Sequence, residues 1–221
     1  MQKTFVPKHF LHALQKMLTH RTAKPVAQMV LALPLAWLVF AVMTERLGAN
    51  PAEALVRGTG DWTLRSLCWV LMVTPLRVMG GLSALARFRR LSGLWVYAYA
   101  SLHLLCYAWF DMGLELADIT RDIAKRPFIL VGFSAFVLLT ALAATSFNRA
   151  VRWLGAARWQ WLHRLVYVVA GLAVLHFFWM RAGKQNFTEV AVYGVGLGSL
   201  LGWRVLRRWR HPTAGAGLKS K

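Results

Sequence analysis

Three histidines, His103, His163 and His176, stand in or at the edge of apolar stretches of this sequence. An ionisable side chain inside such a stretch is costly and marks a functional site by default. His103 lies 13 residues beyond Arg90, and His176 lies 13 residues beyond His163. If Arg90 and His163 mark one edge of two parallel helices, both imidazoles stand about 20 Å above that edge, at about 1.5 Å per residue. Two imidazoles at one depth on neighbouring helices can ligate a single haem iron from opposite faces. Coordination would also resolve the polarity of a buried imidazole. The competing reading is a pair of neutral histidines hydrogen-bonded between helices. Zinc is disfavoured, because no third Cys, His or carboxylate lies at this depth.

His163 is about 20 Å from His176 along the same helix, so it cannot share that iron. It is a candidate ligand for a second haem, or else an interfacial histidine beside Arg164. The matching place before His103 holds Arg89 and Arg90. With Arg87 and Arg164, these arginines are candidates to hold haem propionates or a flavin phosphate, since guanidinium pairs well with such anions. No catalytic side chain is assigned. His9, His12, His20 and His211 lie in basic segments and read as solvated surface residues. Cys68 and Cys106 read as packing residues; without a C-x-x-C-H site, any haem is held non-covalently.

The elements that must position these side chains are membrane spans. Residues 25–44, 91–110 and 127–148 are uncharged and long enough to cross a bilayer. Residues 165–180 are shorter, with Arg164 and Arg181 able to snorkel at the ends. Residues 190–203 need their flanks, and 62–79 hold Arg65, Pro75 and Arg77. Pro34 and Pro75 are expected to kink their spans. The glycines 194, 196, 198 and 202 suggest close helix contacts in the last one. The basic N-terminus lacks a clear small-residue cleavage site, so the first span is expected to be retained.

Charge supports six spans, including the weak 62–79. The chain carries 27 Lys and Arg against 8 Asp and Glu. All eight acids fall in three alternate connections, which also hold eight basic residues and are therefore neutral. The other four segments hold the remaining 19 Lys and Arg and no acid. Basic segments are retained in the cytoplasm. The expected fold is thus all-α: an integral membrane bundle of six transmembrane helices with both termini cytoplasmic. The expected organisation is a basic N-terminal segment 1–24, a transmembrane domain 25–206 and a basic tail 207–221. The basicity is explained by topology and the lipid bilayer, not by nucleic acid.

An ordered set of short motifs resembles the MsrQ (YedZ) family: Gly48-Ala49-Asn50-Pro51, Thr74-Pro75-Leu76, Arg89-Arg90-Leu91 with Gly93-Leu94-Trp95, and Leu102-His103-Leu104. Arg126-Pro127, Thr145-Ser146, Trp161-Leu162-His163 with Tyr167, and His176 continue it, so that residues from about 25 to 205 are covered. That family is similar to ferric-reductase and NADPH-oxidase membrane domains. The resemblance implies a bacterial inner-membrane, multi-pass electron-transfer subunit with heme b and FMN. It implies a cytoplasmic flavin reductase or the quinone pool as donor. The implied acceptor is the periplasmic molybdopterin enzyme MsrP, which acts on methionine sulfoxide. His103 and His176 become the outer haem ligands and His163 the inner candidate. The wider superfamily has histidine where this chain has Arg89 or Arg90, so the resemblance does not supply a second axial histidine opposite His163. A self-standing ferric reductase or quinone-linked cytochrome is the alternative, although the chain offers no room for a flavin/NADPH domain and no G-x-G-x-x-G. A non-redox transporter is a further alternative, disfavoured by the scarcity of acids and amides in the spans.

Overall fold

A computed structural model of the chain describes residues 8–182 and 187–210. Lys184 of the third acid-bearing connection and the tail from 211, with His211, lie outside the described residues. Six long helices carry the architecture: α2 (Ala23–Met43), α3 (Pro51–Met79), α4 (Arg89–Cys106), α6 (Pro127–Ala144), α9 (Val166–Ala182) and α10 (Thr188–Arg210). Short helices sit between them: α1 (Lys8–Thr19), α5 (Leu116–Lys125), α7 (Asn148–Leu154) and α8 (Ala156–Leu162). Among the described residues there is no strand. By length and composition, Ala23–Met43, Pro127–Ala144 and the segment Ala156–Ala182 are apolar enough to cross a membrane.

α3 differs most from expectation, starting eleven residues before 62. Its start is set locally. Asn50 caps the helix by accepting from the Glu53 amide, and Pro51 occupies the first turn, where its missing N–H costs nothing. Glu53, Arg57 and Asp61 therefore ride on this helix instead of forming a loop. Pro34 and Pro75 lie inside α2 and α3. α4 ends in a π-turn at Tyr107–Asp111, and the connection after it contains the amphipathic α5, with an acid in its first turn and Lys125 in its last. In α10, only Gly194 would bring a Cβ against a neighbour, Val174; Gly196, Gly198 and Gly202 face open space. The expected close packing along that glycine series is absent.

Two antiparallel hairpins form the centre. α3 lies along α4 and α6 along α9, while α4 also meets α6. α10 packs on α9 and α3, and α2 on α3 and α4. Leu67 and Leu71 of α3, Val96 of α4, Leu139 of α6, Val169 of α9 and Leu197 of α10 share one core. Tyr99, fully buried, donates its hydroxyl to the Leu31 carbonyl and so ties α2 to the hairpins. In a bilayer lipid is as apolar as leucine, so such packing and interhelical hydrogen bonds replace the hydrophobic effect as the association force.

The hairpins share a plan that residue identities conceal. In the first, cross-links run from His103 to Val56 and from Arg89 to Thr74. In the second, they run from His176 to Phe128 and from His163 to Thr145. The repeat lies in spacing and contact alone.

Candidate functional site

His103 and His176 face each other across the gap between the hairpins, with ring centroids 6.3 Å apart and planes at 76°. Each ring is held by the other helix of its own hairpin. His103 Nδ1 lies 2.8 Å from the Val56 carbonyl oxygen and His176 Nδ1 lies 2.7 Å from that of Phe128. A carbonyl only accepts, so Nδ1 carries the proton on both rings and Nε2 keeps its lone pair. Each such bond contributes about 1 kcal/mol and, more to the point, sets the tautomer and ring orientation.

Two glycines make these bonds possible. Gly60 follows Val56 by four residues, and Gly132 follows Phe128 by four. In a helix the side chain at i+4 leans toward the N-terminus, over the carbonyl of residue i. Glycine leaves that carbonyl open to a second donor. A Cβ at Gly60 would lie 3.0 Å from His103 Cε1, and one at Gly132 would lie 2.8 Å from His176 Cε1 and Nδ1. Sequence reasoning missed Val56, Gly60, Phe128 and Gly132. Only the pairing of each histidine with a distant glycine reveals them, and pairing is not readable from one strand of sequence.

The donor set fits haem iron. A metal–imidazole nitrogen bond is about 2 Å, and two such bonds plus the two half-rings span a gap of about the observed width. Both rings line a cavity of about 280 Å³ whose walls are mainly apolar, with Leu67, Leu139 and Phe136 among them. Among the described residues, no group of three or more His, Cys, Asp or Glu could hold a metal ion.

His163 stands apart from this pair. Its ring stacks on Trp159 at 4.0 Å, and its Nε2 lies 3.2 Å from the Thr145 hydroxyl. The Trp159 indole in turn donates to the Thr145 carbonyl at 2.8 Å. No second imidazole pairs with it among the described residues.

The four arginines selected from sequence do not converge. Arg87 donates to the carbonyls of Leu18 and Thr19, closing the end of α1. Arg89 donates to the Thr74 hydroxyl at 2.7 Å, and Arg90 to Asn148 Oδ1 at 2.6 Å. Arg164 is exposed. Three therefore clamp different elements together, and the guanidiniums do not form one pocket as a unit.

A different set, Arg57, Arg126 and Arg181, lines the cavity. They are ion-paired with Glu53, Asp122 and Glu189 respectively. Asp122 also accepts from the Tyr107 hydroxyl at 2.5 Å. The hydrogen bond from Arg126 holds the Asp122 carboxyl below the usual carboxylate range.

A paired-imidazole cavity between two helical hairpins agrees with what comparison shows. Residues 59–174 match the family model of the ferric reductase like transmembrane component. The heme-binding subunit MsrQ of protein-methionine-sulfoxide reductase from Polaromonas naphthalenivorans is 67% identical over 195 residues, covering 88% of this chain and 89% of that one. The Ralstonia nicotianae MsrQ is 52% identical, over 86% and 88% of the two chains. The Bordetella pertussis MsrQ is 48% identical, over 85% and 90%. The chain belongs to the MsrQ family. No solved structure matches it.

Proposed function

We propose that the chain is a b-type haem electron-transfer subunit of the bacterial inner membrane. It takes electrons from a cytoplasmic flavin reductase or from quinone and delivers them to a periplasmic molybdenum methionine sulfoxide reductase. The observation that carries this reading is the His103–His176 pair, with its tautomers set for ligation through Nε2. The relatives' printed name, a heme-binding subunit of methionine sulfoxide reductase, supplies the partner system. The six long helices and the one-sided acids support six spans with both termini cytoplasmic.

His103 and His176 would hold the iron, and a haem there supplies one-electron exchange between the ferric and ferrous states. The Val56 and Phe128 carbonyls keep the Nδ1 protons in place and raise the basicity of Nε2. The apolar walls limit water at the site. At the basic face, Arg89, Arg90, Arg87 and Arg164 draw an anionic donor toward the membrane. Flavin mononucleotide belongs to that face, its phosphate taken by a subset of these guanidiniums, and His163 is the local candidate for any second haem.

The test is to reduce the haem in reconstituted membranes and add the molybdenum enzyme with methionine sulfoxide. Reoxidation should require both additions and fail in His103→Ala. A haem that stays reduced with both present, yet is reoxidised by quinone, would assign the chain to another electron-transfer route.

A further inference from the structure

Resting on the haem reading above, we infer that Arg57, Arg126 and Arg181 seat the carboxylates of the porphyrin, so that its acidic edge faces the outer mouth of the cavity. Depth carries the argument first. Arg57 directly follows Val56, whose carbonyl holds His103, and Arg126 precedes Phe128, whose carbonyl holds His176, by two residues. Arg181 lies five residues past His176 on the same helix, a rise of about 7.5 Å. All three are thus within about a turn or two of the ligand level. Arg89 is 14 residues below His103, a rise of about 21 Å, which is beyond the reach of a propionate on an iron held at His103.

Shape and donor supply agree with depth. The three arginines come from α3, the start of α6 and the end of α9, and line a cavity that is otherwise mainly apolar. A flat apolar body with two carboxylates on one edge matches that distribution. The guanidiniums also have capacity to spare. Each offers five N–H donors, and Arg126 Nε is buried without a hydrogen-bond partner. The carboxylates of Glu53 and Glu189 are about half exposed, at 45% and 55%, so those ion pairs are weak enough to share or yield a donor. Asp61 and Asp111 also line the cavity, so a further carboxylate is accepted there only by direct hydrogen bonds from the guanidiniums. The four arginines selected from sequence then have no part in holding this porphyrin.

The test uses the haem-loaded protein in detergent, its propionates carbon-13 labelled at the carboxyl through 5-aminolevulinate. Reduced-minus-oxidised infrared spectra read the labelled carboxylate bands, and transfer to apomyoglobin reads haem release. Arg126→Gln and Arg181→Gln should each move the bands and speed release roughly tenfold or more, the scale of losing one charge-assisted hydrogen bond. Arg126→Lys, which keeps the charge beside Asp122 but loses the planar fork, should also move the bands. Arg152→Gln, at an exposed arginine outside the cavity lining, should leave both measurements unchanged. Bands that respond equally to Arg152→Gln would overturn the assignment; bands that respond to none of the variants would leave the propionates in solvent and overturn it equally. Failure of the haem reading itself is separate: His103→Ala and His176→Ala would then keep a normal haem content.

Discussion

Gly132 lies so close to His176 that a methyl group in its place would stand 2.8 Å from two ring atoms. Real Cβ contacts are essentially never that short, and the Phe128 carbonyl holds the ring from the same side. Gly132→Ala should therefore push the imidazole off its bond. The expected outcome is a haem-to-protein ratio at least about twofold lower, or a shifted low-spin signal in electron paramagnetic resonance, consistent with second-shell losses in metal sites. Gly60→Ala, at 3.0 Å from His103, should do the same more mildly. Gly93→Ala, which meets nothing within 4 Å on a neighbouring helix, is the control. A normal ratio and signal in Gly132→Ala would remove the glycine from the site.

His103→Ala and His176→Ala should each abolish the haem held between the hairpins, since losing one imidazole leaves the iron half-ligated. His163→Ala should spare it, because that ring is engaged with Trp159 and Thr145. Pyridine haemochrome content of the three purified variants checks this. Equal loss in all three would mean that His163 supports the same haem.

Charge reversal at Arg89 and Arg90 should slow haem reduction from the cytoplasmic side, because an anionic donor loses its steering field there. The oxidised spectrum should stay unchanged. Stopped-flow reduction at low ionic strength, where such steering is strongest, is the measurement. Unchanged rates would reduce these arginines to helix clamps and topology signals.

The Asp122 site should make the connection that carries α5 sensitive to acid. Its folded pKa is depressed, chiefly by the Arg126 hydrogen bond. Stability from this carboxylate is therefore fully present above the unfolded value, about 3.9, and is lost as pH falls through the lower folded value. Protection factors of the α5 amides, taken relative to the unprotected exchange rate at each pH, should fall on acidification below about pH 4, and Asp122→Asn should show low protection at all pH values. A flat profile in the unmodified protein would show that the Tyr107–Asp122–Arg126 contacts do not hold α5.

Reporter fusions should place both termini in the cytoplasm and the connection at 111–126 outside. A periplasmic C-terminus would overturn the six-span arrangement.

Several features were decided by sequence alone, because they depend on local pattern. Apolar blocks, acid-free basic segments and ordered motifs suffice for an all-helical membrane chain and for the MsrQ resemblance, since span length and loop charge are local quantities. Helical rise likewise placed His103 and His176 at one depth, because distance along a helix is set by residue count. What a residue meets across a gap is not local, and there only the tertiary structure decided. It opened the Val56 and Phe128 carbonyls beneath Gly60 and Gly132. It scattered Arg87, Arg89 and Arg90 onto three separate helices' partners. It extended α3 through residues whose charges read as loop, because Asn50 caps the start, Pro51 fits the first turn and Glu53 pairs with Arg57 one turn on. It also brought Arg57, Arg126 and Arg181 to one rim from positions more than fifty residues apart. Periodicity carries no information on which helix lies opposite, so the partner of each imidazole and the anchors of the rim had to come from packing.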